Sequence, residues 1–265
     1  MIIITGSNGF IGKNLERFLP RERIFRLKSD IRNYISIANQ MKYWSANPKR
    51  IVHLAALTDA QESIVDPINY AETNLMGTIN LLEIMRKFDI EKIIFASSAA
   101  VKDVQNPYGL SKLHAEDWIK MYGELYGLKY VILRIYNVYG PKNNKGVVYY
   151  FMKNLKENRP LTIYGGKQIR DFVYVDDVCK AIRLVLDEKL NWNTTYSIGT
   201  GIGTSIGKLA QMLQKITGIK AKIDRKPAKN NEIWVSVCTK KGWFQTYFNF
   251  TPLKEGLKKY WEAFP

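Results

Sequence analysis

The chain has 265 residues, 46% of them hydrophobic, which suffices for one or two folded domains and excludes a disordered or fibrous protein. Its formal charge is +16, but the lysines are scattered and form no long block, so we expect a basic surface suited to an anionic small molecule, with neither nucleic acid nor membrane as a partner. No apolar run approaches the roughly 20 residues that span a bilayer, and a cytoplasmic location is expected. The two cysteines, Cys179 and Cys238, lack metal-ligand spacing, so no metal site is expected.

The first half of the chain alternates short apolar runs with helical spacing. This pattern predicts a Rossmann-type α/β fold, a doubly wound parallel sheet followed by a small C-terminal substrate-binding domain. We assign residues 1–138 to the first domain, with 171–197 returning to it, and most of 139–265 to the second. The predicted strands cover 2–5, 24–27, 51–56, 92–96 and 130–135, and the predicted helices 11–19, 35–44, 69–88 and 111–122.

A glycine-rich turn, Thr5 to Gly12, lies between the first predicted strand and the first predicted helix. Gly6 permits a tight turn, Gly9 lets backbone amides approach a pyrophosphate, and Gly12 lets helix and strand pack closely. The position of this turn favours dinucleotide binding over a merely structural role. The candidate cofactor contacts in the turn are Gly6, Asn8, Gly9, Phe10, Ile11 and Gly12.

A second motif, a YxxxK spacing, starts the helix that follows the strand ending in Ser98. Tyr108 and Lys112 are four residues apart and therefore share one helix face. A protonated lysine favours the phenolate of a neighbouring tyrosine, and an oxidised nicotinamide ring would add to this effect. The pattern predicts that Tyr108 is an acid/base near neutral pH.

With these elements in order, the chain resembles the extended short-chain dehydrogenase/reductases, specifically the NAD-dependent nucleotide-sugar epimerase/dehydratase family, among which it looks like the UDP-glucose 4-epimerases. The resemblance runs almost end to end. Besides the two motifs, it rests on the segments at 30–33, 52–56, 74–83, 133–141 and 170–177.

This resemblance implies roles for individual residues. Ser98 and Tyr108 match the family's catalytic serine or threonine and its acid/base, and Lys112 is implied to hold the nicotinamide ribose as well. Asn137 and Arg170 match contacts to the sugar diphosphate, and a guanidinium suits that group. Asn137 as a turn residue and Arg170 paired with Asp171 remain open alternatives. The further implied cofactor contacts are Asp30, Ile31, Leu54, Ala55 and Ala56.

The chain departs from the family pattern in three places. Only one strand fits before Asp30, where the family usually has another strand and helix. The positions where a ribose-binding acid would stand carry Arg26 and Lys28, and such cations can accommodate a 2′-phosphate. The resemblance implies NAD as the cofactor, and these two residues keep NADP possible. The interval between Ser98 and Tyr108 is short, and Ala99 and Ala100 replace the acidic pair of dehydratases, which disfavours dehydration because alanine moves no proton.

The two histidines, His53 and His114, are interpreted as structural rather than catalytic. The aromatic cluster Trp243, Phe244, Tyr247, Phe248 and Phe250 is predicted to belong to the core of the second domain.

The leading hypothesis is a nucleotide-sugar epimerase, acting at C4 by transient hydride transfer to bound NAD with proton transfer by Tyr108. The alternative is an NADPH-dependent reductase of a nucleotide keto-sugar, and a third hypothesis is a non-catalytic dinucleotide-binding protein. We also expect a homodimer with a two-fold axis. The apolar positions predicted to contribute to its interface are Leu75, Ile79, Leu82 and Met85 on one helix and Leu113, Trp118 and Met121 on the other.

Overall fold

The computed structural model describes residues 1–20, 24–43, 48–228, 232–239 and 241–265. Its strands are β1 (Ile2–Thr5), β2 (Ile24–Arg26), β3 (Arg50–His53), β4 (Lys92–Ser98), β5 (Lys129–Ile135), β6 (Asn137–Tyr139), β7 (Leu161–Tyr164), β8 (Ile169–Tyr174), β9 (Thr194–Ile198), β10 (Gly203–Ser205), β11 (Ile223–Lys226) and β12 (Val235–Ser236). Its helices are α1 (Phe10–Leu15), α2 (Tyr34–Lys42), α3 (Glu62–Val65), α4 (Pro67–Tyr70), α5 (Gly77–Lys87), α6 (Pro107–Tyr126), α7 (Val147–Lys156), α8 (Val175–Leu186), α9 (Ile206–Thr217), α10 (Trp243–Tyr247) and α11 (Leu253–Glu262).

The chain divides into two units. The first comprises Met1–Arg134 and Lys180–Tyr196, and the second comprises Ile135–Cys179 and Ser197–Pro265. In the part of the chain that the structure describes, no helix is long and apolar enough to cross a membrane.

The first unit is built on a sheet of strand order β2-β1-β3-β4-β5-β9. β1 pairs in parallel with both β2 and β3, and β3 pairs in parallel with β4. The chain winds outward from β1 in both directions, so the point where the strand order reverses lies between β1 and β3. Its central strands are apolar because both of their faces are covered, and Ile3, Ile51 and Ile93 are fully buried. The predicted α/β Rossmann-type class is confirmed.

The long helix predicted at 69–88 is a continuous helical segment from Pro67 to Lys87 with a π-helical stretch at Ala71–Met76. It begins earlier than predicted because Asp66 caps it, accepting a hydrogen bond from the amide of Asn69 at 3.3 Å, and because Pro67 suits the first turn. Single π-helical turns of this kind occur frequently at functional sites.

Helix α6 is also longer than predicted. It begins at Pro107, where the side chain of Asn106 accepts from the amide of Gly109 at 2.9 Å, and it ends before Gly127 in the left-handed conformation. The predicted start at 111 was wrong because the cap formed by Asn106 and the proline in the first turn start the helix four residues earlier. Tyr108 therefore lies in the first turn of the helix.

The predicted interface residues Leu82 and Met85 are buried within the first unit, where they pack into the core beneath the sheet with Leu81 and Ile84. Their assignment to a subunit interface was wrong, because the apolar stripe of α5 faces its own sheet. On α6, by contrast, apolar side chains remain exposed on the outer face: Trp118 by 42%, Met121 by 48% and Leu125 by 63%.

The second unit has a sheet of order β10-β8-β12, with β6 also paired to β8, and a separate parallel pair of β11 and β7. Helices α7, α9 and α11 bury a shared core that includes Phe151, Leu213 and Leu257. The aromatic cluster near the C-terminus differs from its prediction as core, since Phe244 is buried but Tyr247 is 71% exposed.

Candidate active site

The glycine turn follows β1, a short apolar strand whose carboxyl end lies beside the point where the strand order reverses. Gly6 has a φ of +65°, and a Cβ on it would lie 2.6 Å from the amide nitrogen of Ala55. A Cβ on Gly12 would overlap the carbonyl oxygen of Gly6. Both positions require glycine because another segment of backbone packs where a side chain would begin.

Gly9 differs from the other two glycines. It has an extended backbone, it is exposed, and within the protein its Cβ would meet only the Gly6 carbonyl oxygen, at 3.1 Å. Nothing in the fold itself demands glycine as strongly here, whereas a ligand approaching the backbone would. The turn therefore fits a dinucleotide, with Asn8 and Gly9 exposed and with Phe10 and Ile11 partly buried.

Thr5 joins the glycine turn to the end of β3. Its hydroxyl oxygen accepts from the amides of Leu54 and Ala55, both at 3.1 Å, and lies 2.7 Å from Nδ1 of His53. These bonds hold Leu54 and Ala55 next to Gly6, and Ala56 follows, partly buried. The glycine turn and the segment from Leu54 to Ala56, two groups of predicted cofactor contacts, thus come together. The part played by Thr5 was missed by the sequence reasoning.

Asp30, Ile31 and Arg26, which lie at and after the end of β2, are all engaged by other residues of the protein. The Asp30 carboxylate pairs with Arg32 at 2.6 Å, and Arg32 holds the pKa of that carboxyl below its usual range. Ile31 is buried and packs on Gly77, whose Cβ would come 2.7 Å from its side chain. Arg26 binds both carboxylate oxygens of Glu16, at 2.7 and 3.0 Å, and Lys28 is exposed.

Ser98 and Tyr108 are brought together across the short interval that follows β4. Ala99–Lys102 forms a 3₁₀ helix, capped by the Ser98 hydroxyl, which accepts from the amide of Ala100 at 3.2 Å. This turn packs tightly on the start of α6, since a Cβ on Gly109 would lie 2.9 Å from the Ala100 carbonyl oxygen. The short interval thus places the serine beside the first turn of α6.

Burial raises the pKa of Tyr108, and a hydrogen bond with Ser98 lowers it in part. In the protein alone, loss of hydration thus raises the pKa of this tyrosine. The acid/base role, which was predicted from Lys112 together with an oxidised nicotinamide ring, stays a prediction. The ring of Tyr70 meets that of Tyr108 edge-on, with 6.4 Å between centroids. A further positive charge is needed at this tyrosine, and an oxidised nicotinamide carries one.

Lys112 is 2% exposed, and its Nζ lies 3.9 Å from the ring centroid of Phe95. Burial lowers the pKa of Lys112 to about 7, while the charge of Glu116 opposes this effect. The ammonium is therefore poised near neutrality, which is typical of functional sites.

His53 is a structural residue. Its Nδ1 lies 2.7 Å from the hydroxyl of Thr5 and its Nε2 lies 3.1 Å from that of Thr78. Burial, together with the charge of Lys112, lowers the pKa of His53 to about 3. The ring is neutral at physiological pH and spans two hydroxyl groups. His114 is exposed on α6.

Asn74, in the π-helical stretch, is a second residue whose role the sequence did not reveal. Its side chain bonds the amide and carbonyl of Leu57, both at 2.9 Å, and donates to the Ser111 hydroxyl at 3.0 Å. Ser111 in turn donates to the carbonyl of Tyr108 at 2.9 Å. Asn74 therefore ties the segment after β3 to the first turn of α6.

The two predicted diphosphate contacts lie in the second unit. Asn137 donates to the carbonyl of Asp171 at 3.2 Å, and Arg170 pairs with Glu232 at 2.5 Å. Asp171 is not the partner of Arg170. Its buried carboxylate instead accepts from backbone amides of Thr200, Gly201 and Cys238.

A glycine turn where the strand order reverses, a serine at a strand end and a Tyr-Lys pair on the next helix define an extended short-chain dehydrogenase/reductase. Residues 2–199 match the sequence model of the NAD-dependent epimerase/dehydratase family, and the chain belongs to that family. NAD is the cofactor, and the glycine cradle fits it.

Similar proteins cover the whole chain. A protein of Methanocaldococcus jannaschii, provisionally named UDP-glucose 4-epimerase, is 34% identical over 98% of this chain and 96% of its own length. The UDP-glucose 4-epimerase of Thermotoga maritima, solved with UDP-glucose, superposes with a TM-score of 0.89 at 28% identity over 99% of this chain and 98% of that one. The UDP-glucose 4-epimerase of Thermus thermophilus, solved with NAD, gives a TM-score of 0.87 at 26% identity, over 99% and 98% of the two chains.

Proposed function

We propose that this chain is a UDP-sugar 4-epimerase that uses NAD. The observation that carries the proposal is the grouping of Ser98, Tyr108 and Lys112 in the unit that holds the glycine cradle. The named relatives support the 4-epimerase reaction and the uridine nucleotide. Ala99 and Ala100 follow the serine, so these positions offer no side chain for the proton transfers of a dehydration.

In this reaction the sugar hydroxyl at C4 is oxidised to a ketone and then reduced from the opposite face. NAD, when bound, supplies the two-electron oxidant and returns the same electrons, so no cofactor is consumed. The Tyr108 oxygen accepts the proton of the hydroxyl and later returns it. The Ser98 hydroxyl, already bonded to this phenolic oxygen, holds the reacting sugar oxygen. Lys112 holds the ribose and adds positive charge beside the phenolate.

The substrate diphosphate is proposed to bind Asn137 and Arg170. The Arg170 side chain is 16% exposed and pairs with Glu232. A diphosphate that binds Arg170 would therefore have to displace the Glu232 carboxylate from the guanidinium. This exchange makes Glu232 a competitor of the substrate.

The assignment of NAD rather than NADP is supported by Arg26. A 2′-phosphate would need a cation after β2, and Arg26 is engaged by both oxygens of Glu16. The engaged Arg26 therefore counts against the NADPH-dependent reductase, whereas Lys28, exposed after β2, is the observation that favours it. A cytoplasmic location is part of the proposal, consistent with Cys179 and Cys238 as buried thiols.

We also propose a two-fold homodimer through α6. Trp118, Met121 and Leu125 recur at helical spacing and leave an apolar strip exposed on the first unit. A symmetric contact would cover this strip with its own copy.

The function is tested with purified protein and UDP-glucose, UDP-N-acetylglucosamine and UDP-glucuronate, each followed by chromatography. We expect one of them to convert to its C4 epimer up to a fixed ratio, with no net change in absorbance at 340 nm and with NAD released on denaturation. Stoichiometric oxidation of NADPH, or no C4 epimer from any of the three, would contradict the proposal.

A further inference from the structure

A buried carboxylate lies behind the reaction centre, on the same helix as Tyr108 and Lys112. Glu116 is fully buried, one helical turn after Lys112 and on the same face. Its Oε1 accepts from the Ser97 hydroxyl at 2.5 Å, and Arg134 from β5 binds both of its oxygens, at 3.0 and 2.6 Å. A carboxylate without water is stable only when it is paired in this way.

We propose that Glu116 is a positioning residue of this active site: through Ser97 it fixes the strand end that carries Ser98, and it places a buried negative charge one helical turn from Lys112, on the same face of α6. Neither role requires contact with substrate or cofactor.

The first role follows from the geometry of β4. Ser97 and Ser98 are consecutive in the strand, so their side chains point to opposite faces. Holding the Ser97 hydroxyl on one face fixes the backbone from which Ser98 projects on the other. Arg134 fixes the carboxylate from β5, so three elements meet at Glu116.

The second role follows from the groups that face Lys112. His53 from β3 is neutral, and β4 contributes the ring of Phe95. Tyr108 on α6 and Tyr70 from the preceding helical segment both have pKa values raised by burial, so they carry no charge at neutral pH. Among the described residues that bear on Lys112, Glu116 is the anion that raises its pKa.

Two further cations face Glu116 itself. Lys120, one turn further along α6, lies 3.8 Å away, and Arg134 makes the bidentate pair. Glu116 therefore has cationic partners on two elements, and its charge also raises the pKa of Lys112.

The charge is tested by NMR titration of the Lys112 Cε resonance in lysine-¹³C-labelled protein, assigned with Lys112→Met. This measurement needs no substrate, so it is independent of the proposed function. In Glu116→Gln, we expect Lys112 to titrate at lower pH than in the wild type, because the raising charge is gone. Glu124→Gln, an exposed site on the same helix, should leave the titration unchanged. An unshifted Lys112 in Glu116→Gln would overturn this role.

If Glu116→Gln does not fold, Glu116→Gln with Arg134→Gln leaves no buried charge without a partner, and the same shift is expected. In active enzyme the alkaline limb of the kcat profile should move to lower pH with the Lys112 pKa, because activity needs the protonated form. Glu116→Asp, which keeps the charge, should restore the limb. If Glu116 had a purely structural role, its replacement would change the stability of the protein without moving the alkaline limb of the kcat profile.

The positioning role is tested by Ser97→Ala, which removes the tie and leaves every charge. This role rests on the proposed function. We expect kcat to fall about tenfold while the Lys112 titration stays in place. An unchanged kcat would show that the hydrogen bond from Ser97 to Glu116 does not position Ser98. If wild-type protein lacks epimerase activity but Glu116→Gln still shifts Lys112, the function is rejected and the charge role stands.

Discussion

The two units hold their candidate functional residues differently. In the first unit, Ser98 and Tyr108 are hydrogen-bonded to each other, and Lys112 is buried against Phe95 on the helix face that also carries Glu116. In the second unit, Arg170 is engaged by an acidic side chain that would compete with substrate. The comparison teaches that the proposed reaction centre is preorganised within one unit, whereas the proposed diphosphate binding would require Arg170 to exchange one partner for another.

Charge is also divided unequally between the units. The second unit has 19 lysines and arginines against 8 acidic residues, and the first has 21 against 16. Two thirds of the net charge therefore belongs to the unit proposed to bind the dianionic part of the substrate. A positive field of this kind concentrates anionic ligands at low salt.

The largest effect is expected from the preorganised centre. Tyr108→Phe removes the proton acceptor, so kcat should fall about 10²- to 10⁴-fold with UDP-sugar affinity unchanged. Tyr126→Phe, an exposed tyrosine on the same helix, should keep wild-type kcat. Near-normal turnover in Tyr108→Phe would place the chemistry elsewhere.

A large effect on cofactor affinity is expected at Gly9. Within the fold a Cβ on Gly9 would meet only the Gly6 carbonyl oxygen, at 3.1 Å, a tight contact that a shift of a few tenths of an ångström relieves, whereas the side chain would stand where a pyrophosphate approaches the backbone. Gly9→Val should therefore fold and should bind NAD at least about tenfold more weakly. Isothermal titration gives the affinity, and circular dichroism confirms the fold. A folded variant with wild-type affinity would show that the turn does not hold the cofactor.

We expect two copies of the chain to associate through the first unit. Met121→Glu places a charge in the proposed interface, and the dimer should dissociate about tenfold or more readily. The matched change Ile202→Glu alters a side chain of the second unit that is 67% exposed, and it should leave the dimer intact. Light scattering that gives a wild-type monomer near 30.6 kDa would refute the dimer itself.

Smaller effects, of opposite sign, are expected at the ion pair of the second unit. Arg170→Gln should raise the KM for the UDP-sugar about tenfold, and Glu232→Gln should lower it a few-fold because the guanidinium no longer has to leave a carboxylate. Glu255→Gln, at an exposed ion pair of the same unit, is the control. Equal KM values for Arg170→Gln and the wild type would remove Arg170 from the substrate site.

Much of the first unit could be predicted because its signals are local. The glycine turn and the apolar runs of β1, β3 and β4 define the fold class within a few consecutive residues each. The ends of the helices were harder to predict from the sequence. The start of α6, for example, depends on the hydrogen bond that the Asn106 side chain accepts from the amide of Gly109.

The network behind the site was missed because it depends on packing. Glu116 lies on the buried face with Ala115 and Ile119, and a charged residue among core positions was a signal that could have been used. The wrong prediction for Leu82 has the same cause, because the sequence of α5 shows an apolar stripe but does not reveal which neighbouring element covers it. The pairing of Arg170 with Glu232 joins positions 62 residues apart, which no motif encodes.

The shortened segment before Asp30 has a consequence for solubility. It leaves β2 as the outermost strand of the sheet, with one side of its backbone unpaired in the strand order. Open edges recruit strands from other molecules unless they are short or charged. β2 is three residues long and ends at Arg26, whose guanidinium is held in place by Glu16. The cation that was considered for a phosphate of the cofactor thus places a charge at this edge, a feature that disfavours the addition of a further strand.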